Sequence, residues 1–309
     1  MKEVIQGIVR SGLGPVVLGL VVLPVSTTAC VARVDEVTDW NQIMLHSALA
    51  AVPPTSPLVM SRVGAIVQAS VFDAVNGIEQ RYTPIHVEPA ADPGASRRAA
   101  AVQAAYAALV KIYPTQKSAL DEKLAASLKG IASGPGADHS QSIARGIAWG
   151  QEVADAILAW RNTDGFTSPP PPYLGGLGVG QWRPTPPAFL PGAGPQFATM
   201  TPWVIESPSQ FRPAGPPALD SDRYTSDFNE TKTMGSLTSA TRTADQTLAA
   251  QFWNASTAIY YWDTIAVSVG AEHNNTLSDN SRMLAVLNVR YSTSLSSFQK
   301  ISRRRNLAS

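Results

Sequence analysis

Apolar residues recur at intervals of three and four along most of the chain, and this spacing predicts amphipathic α-helices. The clearest case is 57–80, where one face collects Val59, Val63, Ile66, Val67, Val71, Ala74, Val75 and Ile78. Prolines, glycines and cap-forming residues delimit further predicted helices at 36–52, 95–113, 115–130, 138–161, 222–235, 241–254, 256–271 and 278–288, with Thr115 and Asp138 as N-caps. No segment alternates apolar and polar residues between turn signals, so we predict an all-α helical bundle.

Residues 164–220 differ from the rest, because they hold 14 of the 24 prolines and show no sustained periodicity. Their aromatic residues are Phe166, Tyr173, Trp182, Phe189, Phe197, Trp203 and Phe211. A loop of this length is uncommon in a compact domain unless it has a function or is disordered, and disordered segments contain few aromatic residues. We predict an ordered, irregular excursion packed over the helical body. A linker between domains is the alternative.

The first 32 residues have the pattern of an export signal. Lys2 and Arg10 precede an apolar run from Leu13 to Val25, and small residues follow to Ala32. The run is shorter than the roughly 20 apolar residues that a membrane-spanning helix needs. We predict an exported protein, periplasmic or secreted, without a stable membrane span. A buried helix is the alternative, although glycines and prolines interrupt the run.

Cys30 is the only cysteine, so an intrachain disulfide is excluded. It lies where a lipoprotein cysteine would lie, but Thr27, Thr28 and Ala29 lack the usual aliphatic residue. Removal with the signal is therefore the favoured interpretation, and lipid anchoring is the alternative. The net charge of +1 gives no overall attraction to nucleic acid, so we expect no nucleic-acid partner.

The histidines give no metal-ligand spacing, and we predict no metal ligand among them. His46 is predicted to be a hydrogen-bonded structural residue, His86 and His139 to be solvated, and His273 to close a helix. Gly175 to Gly180 has neither a preceding strand nor a Gly-Lys-Ser/Thr, so a phosphate loop is not indicated. Gly-x-Ser-x-Gly is also absent, and no nucleophile elbow is predicted.

Four dense motifs lie in the second half of the chain. They are Thr201–Pro213, Asn229–Lys232, Arg242–Thr247 and Gln251–Trp253. This stretch resembles the bacterial vanadium-dependent haloperoxidase family, which shares its fold with the type 2 phosphatidic acid phosphatases. A looser resemblance extends from Val37 to Leu287. It implies a helical bundle that holds vanadate, binds peroxide on it and oxidises halide, while related acid phosphatases hold phosphate in the same pocket.

The resemblance also includes polar residues of the first helices: Trp40, Asn41, Arg62, Asp73 and Asn76. Asp73 and Asn76 share a helix face, and we predict that they bond neighbouring helix ends or the long loop. The segments 207–213 and 242–245 are likewise predicted to tie the long loop to the bundle through their arginines.

The family's oxyanion site needs fixed cations, N–H donors and two histidines. Its pattern is a lysine before Arg-Pro, then Pro-Ser-Gly-His, then Ser-Arg with a later histidine. Here Arg183-Pro184 and Arg212-Pro213 lack the lysine, Ser-Gly-His is absent, and Ser61-Arg62 and Ser281-Arg282 lack the histidine. We therefore assign no catalytic, cofactor-binding or metal residue, and expect no vanadate in this chain. The chain is predicted to be an inactive, truncated relative. The alternatives are a secreted helical binding or scaffold protein and an acid phosphatase-type relative that needs a partner chain.

The helical pattern is predicted to fail at Val289, and residues 289–309 contain five basic residues, six serines and no acid. A frameshifted gene end is the favoured hypothesis for this aberrant basic tail. A genuine tail that binds anionic polymers and a frayed terminus are the alternatives. Truncation would expose Ile265, Val269, Met283 and Leu287, so a homo-oligomer formed through exposed apolar helix faces is expected.

Overall fold

The computed structural model of the protein describes residues 35–168, 170–211 and 213–305, with side chains described to residue 295. Within these ranges the chain forms α-helices, two 3-10 turns and one isolated β-bridge, and no strand, so the all-α prediction is confirmed. The helices are α1 (Glu36–Ala50), α2 (Pro57–Glu79), α3 (Arg97–Ile112), α4 (Lys117–Ser133), α5 (Ser140–Asn162), α6 (Asp222–Gly235), α7 (Ala244–Asn254), α8 (Ala258–Glu272) and α9 (Leu277–Arg305). The predicted signal peptide and Cys30 lie outside the described residues.

Most helices begin at a side chain that accepts a hydrogen bond from the first turn. These caps are Asp35, Ser56, Ser96, Ser221, Thr243 and Thr257. The two predicted caps are wrong. A 3-10 turn, Pro114–Gln116, precedes α4. The N-cap residue of α4 is Gln116, whose side chain makes no capping hydrogen bond. His139 precedes α5, and Asp138 instead accepts a hydrogen bond from Ser96 Oγ.

Helix α2 is the centre of the bundle and packs against α3, α5 and α9. Its length and composition would allow it to cross a membrane, but 83% of its most apolar window is buried inside the protein. It is therefore a core helix. Its small residues and those of α3 let neighbouring helices approach closely.

Helices α3 and α5 approach each other closely at two glycines of α5. Gly146 faces the carbonyl oxygen of Ser96, and one turn later Gly150 faces that of Ala100. A Cβ at either glycine would overlap these oxygens, so both positions require glycine for the observed approach. Trp149 lies between them and donates from Nε1 to the carbonyl of Ala74 at 3.0 Å, which ties α5 to α2.

The Pro-rich segment between α5 and α6 is irregular, apart from a 3-10 turn at Pro195–Ala198 and a bridge between Tyr173 and Gly192. It nevertheless packs on the bundle. Phe197 and Met200 are fully buried, and the 3-10 turn contacts α9.

Helix α9 does not end near residue 288, so that prediction is wrong. It continues to Arg305, and Val289 and Ser292 are buried. Trp203 of the Pro-rich segment donates from Nε1 to Ser292 Oγ at 3.0 Å. The predicted exposure of Met283 and Leu287 is also wrong, because both are half-buried.

Candidate functional site

A cluster of two arginines and one aspartate fixes the Pro-rich segment to the bundle. Arg62 of α2 donates from Nη2 to Asp164 Oδ2 at 3.0 Å, and Arg161 of α5 donates to the same oxygen at 2.7 Å. Arg161 Nη2 also donates to the carbonyl of Thr201 at 2.8 Å. The guanidinium of Arg161 lies 4.2 Å from the ring centroid of Trp203. The cluster therefore anchors the Pro-rich segment to the bundle through charge-assisted hydrogen bonds and the stacking of Arg161 on Trp203.

A pocket of about 820 Å³ adjoins this cluster, and Arg62, Lys111 and Arg161 are among the residues that line it. Burial lowers the pKa of Arg161, whose side chain is fully enclosed. Both guanidinium groups are directed to Asp164, and among the buried side-chain atoms of the described residues Arg161 Nε is the arginine nitrogen without a hydrogen-bond partner. A highly charged oxyanion needs several fixed donors, so this pocket does not fit vanadate.

A second cleft, of about 660 Å³, combines three arginines with three carboxylates. Arg98 donates from Nε to Glu36 Oε1 at 2.8 Å, and Arg97 pairs with Glu79. Asp35 also lines the cleft, and its Oδ2 accepts a hydrogen bond from Asn280 Nδ2 at 2.9 Å. The carboxylates neutralise the arginines and would repel an oxyanion, so this cleft does not fit vanadate either.

A third pocket, of about 460 Å³, lies between α1 and α4, with Ile43 and Leu120 among its apolar lining residues. His46 lines it and is exposed, so the prediction of a hydrogen-bonded structural histidine is wrong. Asp39 also lines it, and burial raises the pKa of its carboxyl, with the nearby charges of Glu36 and Asp35 adding to the shift.

Asp73 and Asn76 organise the turn that follows α2. The Asp73 carboxylate accepts hydrogen bonds from the backbone N–H groups of Ile85, His86 and Val87 at 2.8–2.9 Å. Asn76 accepts from the Tyr82 N–H at 2.9 Å and donates to the Tyr82 carbonyl at 2.7 Å. The predicted structural role is therefore confirmed, but the partner is the connection 80–96 between α2 and α3 and not the long loop.

The remaining polar residues of the resemblance are also structural. Trp40 Nε1 donates to Ser127 Oγ at 3.1 Å, and Asn41 Oδ1 accepts from Gln68 at 2.8 Å. Arg242 donates from Nη1 to the carbonyl of Met234 at 2.7 Å, so it joins α6 to α7 and does not tie the long loop to the bundle as predicted. Arg212 lies outside the described residues.

The other histidines are exposed and lie apart. His86 stacks on Trp160 with 4.2 Å between ring centroids, His139 precedes α5, and His273 closes α8 as predicted. Among the described residues, no group of three or more His, Cys, Asp and Glu residues could hold a metal ion.

The glycine run from 175 to 180 folds into a compact turn of the Pro-rich segment. The Gly176 N–H donates to the carbonyl of Trp182 at 3.1 Å, and the Gln181 side chain accepts from the Gly178 N–H at 2.9 Å. These backbone groups are therefore satisfied within the turn.

Sequence reasoning missed a buried acid between α8 and α9. Asp263 is fully buried, and Asn288 Nδ2 donates to its Oδ1 at 3.0 Å. Burial raises the pKa of Asp263 to about 7, against the lowering effect of that hydrogen bond. Burial, together with the charge of Asp263, raises the pKa of Tyr291 to about 12. The sequence does single out this residue, because Asp263 is the only charged residue between positions 246 and 271.

Comparison with solved structures shows what this fold is similar to. No protein-family model and no curated protein matches the sequence. The crystal structure of the first bacterial vanadium-dependent iodoperoxidase matches with a TM-score of 0.70 and 21% sequence identity. The match covers 87% of this chain and 68% of that chain. The chain has a vanadium haloperoxidase-like fold. The fold that the motifs imply is thereby confirmed, while an identity this low carries no conclusion about activity.

Proposed function

We propose that this chain is a vanadium haloperoxidase-like scaffold that does not hold vanadate with its own described residues, and so has no haloperoxidase activity by itself. One observation carries the proposal. The arginines that line the two arginine-containing pockets are already paired with carboxylates, as in Arg62 with Asp164 and Arg98 with Glu36. A vanadate site would require those cations to face a cavity instead.

The histidine requirement supports the same proposal. The family chemistry uses one histidine bonded to the metal and another as acid or base. In the described part of the chain, His46 lines the α1–α4 pocket, whose only cation is Lys123, and His86 stacks on Trp160. Neither arginine-containing pocket has a histidine in its lining. In none of these three pockets do an imidazole and several arginines meet.

The test is an assay of the purified chain with vanadate, hydrogen peroxide and either iodide or bromide, read by halogenation of a dye. The bacterial iodoperoxidase serves as the positive control. We expect no signal above the enzyme-free reaction. Vanadate-dependent halogenation would contradict the proposal. Hydrolysis of a phosphate ester, with this chain alone or mixed with a second polypeptide, would favour the acid phosphatase alternative.

A second candidate function is that of a helical binding protein whose basic end recognises polyanions. The observation that favours it is the continuity of α9, which carries Lys300 and the run Arg303–Arg305 on an unbroken helix. Buried Val289 and Ser292 support a native origin for the start of this segment, in place of the frameshift hypothesis. Replacing the four basic residues with glutamine should weaken heparin retention. The matched control is the same change at Lys111, Lys117, Lys123 and Lys129; equal retention of both variants would contradict this candidate.

We also propose that the protein is exported and that residues 1–32 are removed. The support is the sequence pattern of a basic start, an apolar run and small residues. Amino-terminal sequencing of the protein from the extracytoplasmic fraction should give a start close to residue 33. A cytoplasmic protein that retains Met1 would contradict this proposal.

A further inference from the structure

Helices α7 and α8 present six large apolar side chains to solvent. We call these residues the α7–α8 face: Leu248 (65% exposed), Phe252 (49%), Trp253 (47%), Trp262 (44%), Ile265 (39%) and Val269 (43%). Helix α7 has no buried residue, so its apolar residues find no core within the described part of the chain. Isolated exposed apolar residues are ordinary, but a cluster of this kind marks an interaction site.

The six residues form one surface. Leu248 and Phe252 are four apart on α7, and Trp262, Ile265 and Val269 follow at helical spacing on α8. Ring contacts connect the two helices, because Trp253 stacks on Trp262 with 6.0 Å between ring centroids. The Tyr261 hydroxyl fixes their relative position by donating to the carbonyl of Phe252 at 2.6 Å.

The helical segments that form the face contribute no exposed charge between positions 246 and 271. Between positions 246 and 271 the only charged residue is Asp263, which is fully buried. The centres of protein interfaces are depleted of charge and enriched in tryptophan, tyrosine and phenylalanine. An uncharged face also meets a copy of itself without like-charge repulsion, and it gives nothing for a polyanion to bind.

The area of the face suits a dimer. A fully covered aromatic side chain buries about 150–250 Å², so six large side chains exposed by about half amount to roughly 500 Å² of apolar surface. A standard interface covers about 800 Å² per partner, of which about 60% is apolar, or about 500 Å². The face therefore supplies the apolar area that one side of a stable dimer contributes.

We propose that the α7–α8 face is a self-association surface whose occupant is a second copy of this chain. The dimer is isologous, so the same face of each copy contributes to one interface and each residue occurs in it twice. The tryptophans supply the buried centre, and the polar residues around them form the rim. This inference is independent of whether the chain binds vanadate.

Sedimentation velocity and light scattering over a range of concentrations test the proposal. The chain is expected to show twice its monomer mass at micromolar concentration. Because each residue occurs twice in an isologous interface, Leu248→Glu buries two negative charges there. This variant should raise the dimer dissociation constant by about 30-fold or more. The matched control is Leu177→Glu, which makes the same change at a leucine of the Pro-rich segment that is 92% exposed, and it should leave the dimer intact.

Circular dichroism establishes that both variants are folded. If Leu248→Glu does not fold, Val269→Glu on α8 repeats the test, since Val269 lies on the same face and is 43% exposed. A monomer at all concentrations, open-ended aggregation, or equal effects of Leu248→Glu and Leu177→Glu would overturn the proposal. A monomer that binds zwitterionic lipid vesicles would instead assign the face to a membrane surface.

Discussion

Asp263 gives the sharpest test of the packing between α8 and α9. Its carboxyl is fully buried, and its pKa is raised from 3.8 to about 7 because burial disfavours the charged form. In the unfolded chain the same carboxyl has its ordinary pKa. The folded and unfolded pKa values of Asp263 therefore differ by about 3 units, which corresponds to about 4 kcal/mol. The free energy of unfolding falls by this amount when the carboxyl must ionise in the interior.

The sign of the effect follows from proton binding. Between about pH 4 and pH 7 the native state holds a proton on Asp263 that the unfolded state has released, so this group lowers stability as pH rises through that window. Below about pH 4 both states are protonated and the effect disappears. Above about pH 7 both states are ionised and the full cost is present.

Asp263→Asn removes this ionisation and keeps the shape of the side chain. The new amide retains an oxygen that can accept from Asn288 Nδ2, which donates to Oδ1 of Asp263 at 3.0 Å in the original chain. We expect the variant to be more stable than the original chain by about 2–4 kcal/mol at about pH 8 and nearly equal to it at about pH 4.

Urea unfolding, followed by circular dichroism at a fixed protein concentration from about pH 4 to pH 8, measures the difference. The exposed Asp245→Asn serves as the control and should follow the original chain across the whole range. A variant that is less stable at about pH 8, or one that keeps the original pH dependence between about pH 4 and 7, would refute the account of Asp263.

Three further substitutions test other parts of the structure. Arg62→Ala removes one of the two arginines on the buried carboxylate of Asp164 and should cost about 2–4 kcal/mol, with faster proteolysis within the Pro-rich segment. Asp73→Ala leaves three backbone amides without their acceptor and should cost about 3 kcal/mol, with faster hydrogen exchange at those amides. Gly64→Ala would overlap the buried asparagine of α9 and should cost about 1–3 kcal/mol, whereas Gly130→Ala has open space and should be neutral or stabilising. Urea unfolding measures the change in the free energy of unfolding for each variant. A Gly64→Ala variant as stable as the original chain would mean that α2 and α9 are less closely packed.

Hydrophobic periodicity predicts the central helices because their apolar residues do the packing. In α2 the apolar face assigned from the sequence is buried, and a serine cap and a proline start the helix as such residues usually do. Helix α6 ends at Gly235 as predicted, and α1 ends at Ala50, two residues before its predicted end and shortly before Pro53-Pro54.

Periodicity fails for α9 because several of its inward positions are polar. Asn288 and Ser292 are fully buried, and each is matched by a hydrogen-bond partner from a distant segment, Asp263 for the first and Trp203 for the second. A pattern that counts only apolar residues therefore loses the helix where hydrogen bonding replaces hydrophobic contact.

The arginine cluster of the candidate site could likewise not be predicted from the sequence pattern. Asp164 could be recognised as the end of a helix, but its bond to Arg62 joins residues 102 positions apart. No local pattern indicates such a pair. By contrast, the local role of Asp73 was predictable, since its partners lie 12–14 positions ahead in a turn that begins at the end of its own helix.

Titration of the purified chain with vanadate, followed by vanadium NMR and by isothermal calorimetry, measures whether this chain binds the oxyanion by itself. We expect the vanadate signal to keep its free position and width and no heat of binding to be measured, while the bacterial iodoperoxidase gives both responses under the same conditions. Stoichiometric, phosphate-competed binding of vanadate to this chain alone would contradict it.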